Sequence, residues 1–248
     1  LSTTNGALSG SAANLVSAFA GTVTTHTGAV TITNAPTVAQ LKTINDESTG
    51  AITLNVTNGA LSGSVSDLVD AFAGTVTTHT GTVTITDTPT VAQANTIDAA
   101  TSGAITATFA DDATDLATLT GTGNAYTLTL SNSDAATLAE LVTINAATTG
   151  AITLNTLTIA ANLSGSAANF ASAFAGTVTT HTGTVTLTDA PTVAQLVTIN
   201  AETTGAITLS TADGALSGTA ANLVLAFAGT VTTHTGTVAI TDAPTLAQ

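Results

Sequence analysis

Four histidines stand at equivalent positions of a repeated sequence, and they are the first residues in the chain that invite chemistry. The eleven residues AFAGTVTTHTG begin at Ala18 and recur unchanged from Ala71, Ala173 and Ala226. Their histidines, spaced 53, 102 and 53 residues apart, are His26, His79, His181 and His234. Imidazole serves both as a metal ligand and as a general base. A residue that is copied together with its surroundings is, however, first a marker of tandem repetition.

The spacing of these histidines argues against a metal site that they share. If each repeat contributes two layers of strand at about 4.8 Å each, successive imidazoles lie about 10 Å apart. The ligands of one zinc ion must each approach it to about 2.1 Å. We therefore expect the histidines to mark the register of the repeat, with rings that close a loop or stack.

Three aspartates, Asp111, Asp112 and Asp115, form the densest group of acidic residues. Calcium takes six to eight oxygen ligands, which carboxylates and backbone carbonyls supply. These residues are the candidate calcium site, and a solvated acidic loop is the alternative. The glycine-rich nonapeptide of calcium-binding β-rolls is absent, and we expect no other cofactor.

The residues needed for catalysis are nearly absent. The chain has no cysteine, no arginine and a single lysine, Lys42, and its carboxylates stand mostly alone. Catalysis requires a nucleophile, acid or base held beside an electrostatic stabiliser. The sequence therefore predicts that the protein is not an enzyme.

The charge balance excludes several partners. Fifteen acidic residues oppose one basic residue, which gives a net charge of −14. Nucleic acid and anionic membrane surfaces both require clustered lysine and arginine. No apolar run reaches the roughly 18 residues of a membrane span, so we expect no membrane insertion. Only 6% of residues are charged, so threonine, serine, asparagine and alanine must cover much of the surface.

Each 53-residue repeat contains a long module and a short module, exemplified by residues 50–80 and 81–102. Both open with glycine and an alternating segment in which Ile52 and Leu54, or Val83 and Ile85, alternate with threonine. Alternation of β-branched and polar residues predicts a half-buried strand.

The long module continues into a predicted helix. Val65, Leu68, Val69 and Phe72 follow the i, i+3, i+4, i+7 pattern of an amphipathic helix. The candidate N-caps are Ser11, Ser64, Ser166 and Thr219, and the glycines that end these helices are Gly21, Gly74, Gly176 and Gly229.

The short module also predicts a helical segment, because Val193, Leu196 and Ile199 recur at a spacing of three. Asp189 stands two residues before Pro191, which predicts that this aspartate caps the helix that follows. The equivalent residues are Asn34, Asp87 and Asp242, and Asp134 takes this place in the irregular region.

Strands that are joined by helical returns must run parallel. The sequence predicts an α/β solenoid of strand and short-helix rungs that form one parallel sheet, and a parallel β-helix with helical corners is the alternative. We expect residues 1–248 to form a single continuous repeat array, two rungs to a repeat, with a divergent repeat near 104–150. Because it starts and stops within a repeat, we interpret the chain as a segment of a longer protein.

The most unusual predicted surface is an outward ladder of threonines on the sheet. Its members are Thr31, Thr33, Thr84, Thr86, Thr127, Thr129, Thr186 and Thr188. Such arrays resemble those of solenoid ice-binding proteins. Threonine is also a favourable uncharged residue for any solvated strand face, and this face would equally pack against another copy.

Two further resemblances suggest a biological setting. The cadence of VTLTDAPTVAQLVTIN, residues 185–200, loosely resembles a leucine-rich-repeat solenoid, although that family's fixed asparagine and dense leucines are missing. The motifs TGAITL, APTVAQL and AFAGTVT resemble the tandem repeats of very long threonine-, alanine- and glycine-rich secreted or surface proteins of bacteria, particularly cyanobacteria. That resemblance implies an extracellular or cell-surface location.

These features predict a non-enzymatic structural protein, a self-associating segment of a filament, sheath or surface layer. Its partners would be further copies, bound end to end or laterally, because open sheet edges pair readily and low charge leaves little repulsion. The first alternative is an adhesin stalk or ligand-binding repeat module, with or without calcium. The second is an ice-binding threonine array.

Overall fold

The computed structural model describes residues 4–21 and 25–245, so Thr22–Thr24 of the first AFAGTVTTHTG copy lie outside the described residues. The fold is α/β, with short helices between many of the strands. The described strands form four mostly parallel sheets, so the prediction of one parallel sheet was wrong. The strands are β1 (Leu8–Gly10), β2 (Val30–Ile32), β3 (Ile52–Leu54), β4 (Leu61–Gly63), β5 (Val83–Ile85), β6 (Ile105–Asp111), β7 (Ala125–Leu130), β8 (Ile152–Thr153), β9 (Leu163–Gly165), β10 (Val185–Leu187), β11 (Ile207–Leu209), β12 (Leu216–Gly218) and β13 (Val238–Ile240). The helices are α1 (Ala12–Phe19), α2 (Val38–Asp46), α3 (Val65–Ala71), α4 (Val91–Ala100), α5 (Ala113–Leu116), α6 (Leu138–Ala146), α7 (Thr156–Ile159), α8 (Ala167–Ala173), α9 (Val193–Glu202) and α10 (Ala220–Ala226).

The chain forms two compact bodies. The first comprises Leu1–Phe109 and Leu119–Thr127, and the second comprises Ala110–Thr118 and Leu128–Gln248. Each body is made of two stretches of the chain.

In the first body, strands pair in parallel at an offset of 22 residues. Leu8 lies beside Val30, and Val30 lies beside Ile52. The same offset joins β4 to β5 and β5 to β6. A bridge from Ile52 to Val76 extends the first of these stacks by one further residue pair.

The second body repeats this arrangement. Val185 of β10 pairs with Leu163 on one side and with Ile207 on the other, again 22 residues away in each direction. Strand β12 pairs with β13 in the same register, whereas β7 pairs with β8 at an offset of 24. All the strand pairs named above are parallel, as the helical returns predicted.

The predicted alternation is visible in these short strands. Val30 and Ile32 are fully buried while Thr31 between them is half-buried. The inward residues of neighbouring strands stack directly upon one another, so each body has a core made of valine, isoleucine and leucine. Cross-strand pairs of like residues stabilise these short strands.

The helices of the long modules begin and end as predicted. Each of four hydroxyls accepts a hydrogen bond from the backbone amide three residues later in the chain. They belong to Ser11, Ser64, Ser166 and Thr219. The glycines that follow have positive φ angles, for example 71° at Gly74 and 76° at Gly176. A left-handed residue at this position favours glycine, so the sequence fixes where these helices stop.

The short-module helices begin differently from the prediction. A threonine, not the aspartate before the proline, is the N-cap, and it forms a capping box with a glutamine or glutamate three residues later. In α9 the pair is Thr192 and Gln195. The predictions that Asp189 caps α9, that Asp134 caps α6, and that Asn34 and Asp87 cap α2 and α4 were therefore wrong, because the threonine stands three residues closer to the first helical turn. The helix predicted after Asp242 falls on residues outside the described ranges.

Candidate functional site

The four histidines occupy the turns that follow the long-module helices, and three of them are buried. His26, His79 and His181 form parallel bridges with Ser48, Thr101 and Thr203, while His234 is half-buried. Each ring lies beside the phenylalanine of its own signature, with centroids 5.7–6.0 Å apart. The signature thus places a histidine and a phenylalanine together against the core.

The hydrogen bonds of His79 show what the ring does. Its Nε2 atom lies 2.7 Å from the carbonyl oxygen of Gly59, and Nδ1 lies 3.4 Å from the hydroxyl of Thr101. His234 repeats the first contact, with Nε2 2.6 Å from the Gly214 carbonyl. These rings join neighbouring turns of the chain through backbone groups, which is a structural task.

Burial affects the titration of His181 most clearly. Desolvation lowers the pKa of this imidazole below its ordinary value, and the Ala161 carbonyl opposes part of the shift. By hydrogen-bond geometry, Nε2 of His181 has no partner within the described residues. Neither ring nitrogen of His26 has a partner there either. The neutral ring is the favoured form at His181.

Asp111, Asp112 and Asp115 do come together. Their carboxylate oxygens lie within 4.8 Å of one another, and they form the only such group of three or more ligand residues in the described part of the chain. Asp112 is the N-cap of α5 and accepts from the Asp115 amide at 2.8 Å, while Asp111 accepts from the Asp112 amide at 3.0 Å. These carboxylates already satisfy backbone donors at a helix start, where negative charge is favourable.

Six of the eight predicted ladder threonines are exposed, and Thr31 and Thr186 are half-buried. Most of the three-residue strands carry one outward hydroxyl, whereas β6 and β7 carry two and β13 carries none. The paired hydroxyls form columns of threonine, most of which also include a serine. They are Ser9–Thr31–Thr53, Ser62–Thr84–Thr106, Thr129–Thr153 and Ser164–Thr186–Thr208. Thr33, Thr86 and Thr188 lie one residue beyond their strands, and each donates its amide to a glycine carbonyl of the neighbouring strand.

The aspartates before the prolines cap helices in a neighbouring module. Asp189 accepts a hydrogen bond from the amide of Ala167, the first residue of α8, at 2.7 Å. Asp87, Asp242 and Asn34 make the same bond to Val65, Ala220 and Ala12. Every one of these bonds spans 22 residues. The partner of each capping residue lies 22 residues earlier, the same interval that separates most paired strands. Comparing polar residues at this interval would therefore identify the partner from the sequence.

A second set of cross-module bonds went unpredicted. Asparagine in the TIN motif of α2, α6 and α9 donates to carbonyls at the end of the next long-module helix. Asn45 donates to Asp70, Asn145 to Ala173 and Ala175, and Asn200 to Leu225. The carbonyls of Asp70 and Leu225 also accept from the amides of Ala73 and Ala228, so the asparagine adds a second donor at the end of these helices.

Helix α4 departs from this pattern and borders a polar cleft of the first body. In α4 the equivalent residue is Asp98, which cannot donate. Its Oδ1 instead accepts from Nδ2 of buried Asn124, at 2.9 Å, and Oδ1 of Asn124 accepts from the Ile105 amide at 2.8 Å. The cleft measures about 430 Å³ and is lined by Asp98, Thr101, Ser102, Gly103, Ala104, Gly121, Thr122, Gly123 and Asn124.

Tyr126 lies behind this cleft and is fully buried, with its ring edge-on to Phe109 at 5.1 Å. Burial raises the pKa of its hydroxyl, and the negative charge of Asp98 adds to the increase. The loop 120–124 is joined to α4 and β6 through Asn124, which bonds to Asp98 and to the Ile105 amide.

Comparisons of the chain with protein families, with curated proteins and with solved structures find no match. Among residues 4–21 and 25–245, no helix has the length and apolar character needed to cross a membrane.

Proposed function

We propose that the chain is a non-enzymatic, extracellular structural protein, a self-associating segment of a filament, sheath or surface layer. In this proposal the strand and helix modules build an α/β solenoid, and further copies of the chain are its partners. The resemblance to long bacterial surface repeats supports the location.

The recurring strand register supports the solenoid. Most paired strands are 22 residues apart, with β7 and β8 at 24, and the polar caps use the 22-residue interval. Each module thus stacks on the module before it through backbone pairs, side-chain caps and apolar contacts. In repeat proteins of this kind, stability comes from contacts between neighbouring modules.

The observation that carries self-association is the uncovered face of β13 in the second body. Val238 and Ile240 are 47% and 51% exposed, whereas their equivalents Val185 and Leu187 are fully buried beneath a further strand. A shallow apolar groove beside them is lined by Leu223, Val224 and Phe227 together with Ile240. An uncovered strand with apolar side chains is a template for pairing with another chain.

The sides of the modules offer little to oppose lateral contact. Their outward strand residues are serine and threonine, and only 6% of the chain is charged. Surfaces with so few charged groups lack the repulsion that keeps most soluble domains apart. End-to-end growth and lateral packing are therefore both compatible with the surface.

Light scattering coupled to size exclusion, with negative-stain microscopy, tests the proposal on the whole chain over a range of concentrations. We expect oligomers or filaments that grow with concentration. Ile240→Asp should suppress end-to-end growth, and Ala239→Asp, one residue away on the outward column, should affect lateral contacts only. A chain that stays monomeric at high concentration, with no filaments, would overturn the proposal.

A further inference from the structure

Asp98 places a hydrogen-bond acceptor where the other short-module helices place a donor. Asn45, Asn145 and Asn200 use this position to bind backbone carbonyls. A carboxylate repels such carbonyls, so the local structure must differ. The local structure differs through Asn124, whose side-chain amide donates a hydrogen bond to Oδ1 of Asp98.

The charge on Asp98 is left without a cationic partner. Lys42 is the one basic side chain in the sequence, and it is ion-paired with Asp46 and Asp70. Asp98 also lies in the last turn of α4, where the described residues include no basic side chain. The C-terminal end of a helix carries partial negative charge, so a carboxylate there is unfavourable unless a cation compensates both.

Several residues that line the cleft beside Asp98 carry oxygen atoms that can bind a cation. Ser102 and Thr122 contribute hydroxyls, and the glycines of the loop bring main-chain groups to the wall. Gly121 and Gly123 have positive φ angles of 79° and 81°. A Cβ atom at Gly121 would overlap the Asp98 carboxylate, so the absence of a side chain lets the backbone lie against this group.

We propose that this cleft binds a divalent cation of calcium's size, with the Asp98 carboxylate as the charged ligand. Calcium accepts a mixed set of carboxylate, hydroxyl, carbonyl and water oxygens in flexible geometry, which matches this lining. The cleft volume leaves room for bound water to complete the shell. This inference goes beyond the structural role proposed above and does not depend on it.

The group Asp111–Asp112–Asp115 is an internal comparison. It has more carboxylates, but two of them accept backbone amides at the start of α5. The start of a helix carries partial positive charge, which disfavours a cation. Asp98 has the opposite electrostatic setting, since it sits at a helix end.

Calorimetric titration of the whole chain with calcium chloride tests this assignment. We expect saturable binding with a dissociation constant of about 10⁻⁴–10⁻³ M, the range of weak extracellular sites, and a higher melting temperature in calcium. Asp98→Asn installs the residue that three sibling helices carry, so it preserves the fold, and it should weaken binding at least about tenfold because the charged ligand is lost. Asp115→Asn removes the same charge from the other acidic group and should bind as the parent does.

Three results would overturn the proposal. They are unchanged binding in Asp98→Asn, loss of binding in Asp115→Asn alone, and a linear heat of dilution with no saturation in the parent chain. Circular dichroism of each variant establishes that it is folded. Assembly is measured separately, so a failed calcium titration leaves the structural proposal standing, and the reverse also holds.

Discussion

Nδ2 of Asn45 in α2 donates a hydrogen bond to the carbonyl oxygen of Asp70, 2.6 Å away in the last turn of α3. The two residues are 25 positions apart and belong to successive modules. The end of one helix is therefore completed by a side chain of the helix before it. With the aspartates that cap helix starts from the module after, both ends of a long-module helix depend on neighbours.

Removal of one such asparagine should destabilise the chain measurably. Asn145 donates to the carbonyls of both Ala173 and Ala175, at 3.1 and 2.8 Å. Asn145→Ala leaves these groups to solvent, and we expect a loss of about 1–2 kcal/mol in the free energy of unfolding. Urea denaturation followed by circular dichroism measures it. Asn169→Ala makes the same change on an exposed face of α8 and should shift stability by less than about 0.5 kcal/mol.

The caps at helix starts depend on an acceptor rather than on charge. Asp189→Ala removes the acceptor for the Ala167 amide and should cost about 1 kcal/mol. Asp189→Asn retains an oxygen in the same place and should lie within a few tenths of a kcal/mol of the parent, since Asn34 makes this bond in the first repeat. Chemical denaturation of the three proteins checks the order. Equal losses in both variants would contradict the assignment.

The turns between modules leave no space for a side chain at certain glycines. A Cβ atom at Gly205 would overlap the carbonyl oxygen of Gly183, one module away. Gly205→Ala forces the two backbones apart, and we expect a loss of about 1–3 kcal/mol by thermal or chemical denaturation. Gly10→Ala is the matched control, because the nearest atom to its new methyl group is 3.8 Å away. A Gly205 variant as stable as the parent would show that the turns are loosely packed.

Acid should destabilise the second body through His181. Burial lowers its folded-state pKa, while the unfolded value is about 6.5. Between these two values the unfolded chain binds more protons, so stability rises with pH there. The contribution is complete above about pH 6.5 and declines as the pH falls below it.

Denaturation midpoints between pH 7.5 and 5.5, chosen as about one unit either side of that value, measure this effect. We expect His181→Asn to show a shallower decline than the parent. Glu140, whose pKa is lowered mainly by the Thr137 amide, contributes in a separate window below its ordinary value of 4.5. A slope in this range that the His181 substitution does not change would assign the pH dependence to other groups.

Local patterns in the sequence were sufficient for most of the secondary structure. Alternation at Ile52 and Leu54 predicted a strand, and Ser64 with Gly74 predicted the limits of α3. These signals lie within about ten residues of the elements they define, so a single module contains them. Parallel pairing followed from the length of the returns.

Contacts that join modules were harder to predict because their two partners lie far apart in sequence. Asp189 looked like a cap for the nearest helix, yet its partner is Ala167 in the module before. The Asp98–Asn124 pair was overlooked because it appears as a single departure from the TIN motif in an irregular region. An alignment of the repeats shows that Asp98 replaces the asparagine of the TIN motif, and this replacement points to a different hydrogen-bond partner.

The 22-residue interval between most paired strands limits how the polypeptide can change in length. Loss of one residue between β10 and β11 would displace the pairs that join Val185 to Ile207 and Leu187 to Leu209, and inward residues would face outward. Loss of a whole 53-residue repeat, the distance from His26 to His79, would instead rejoin equivalent positions with their pairs intact. Proteins built from this repeat should therefore differ in length by whole repeats.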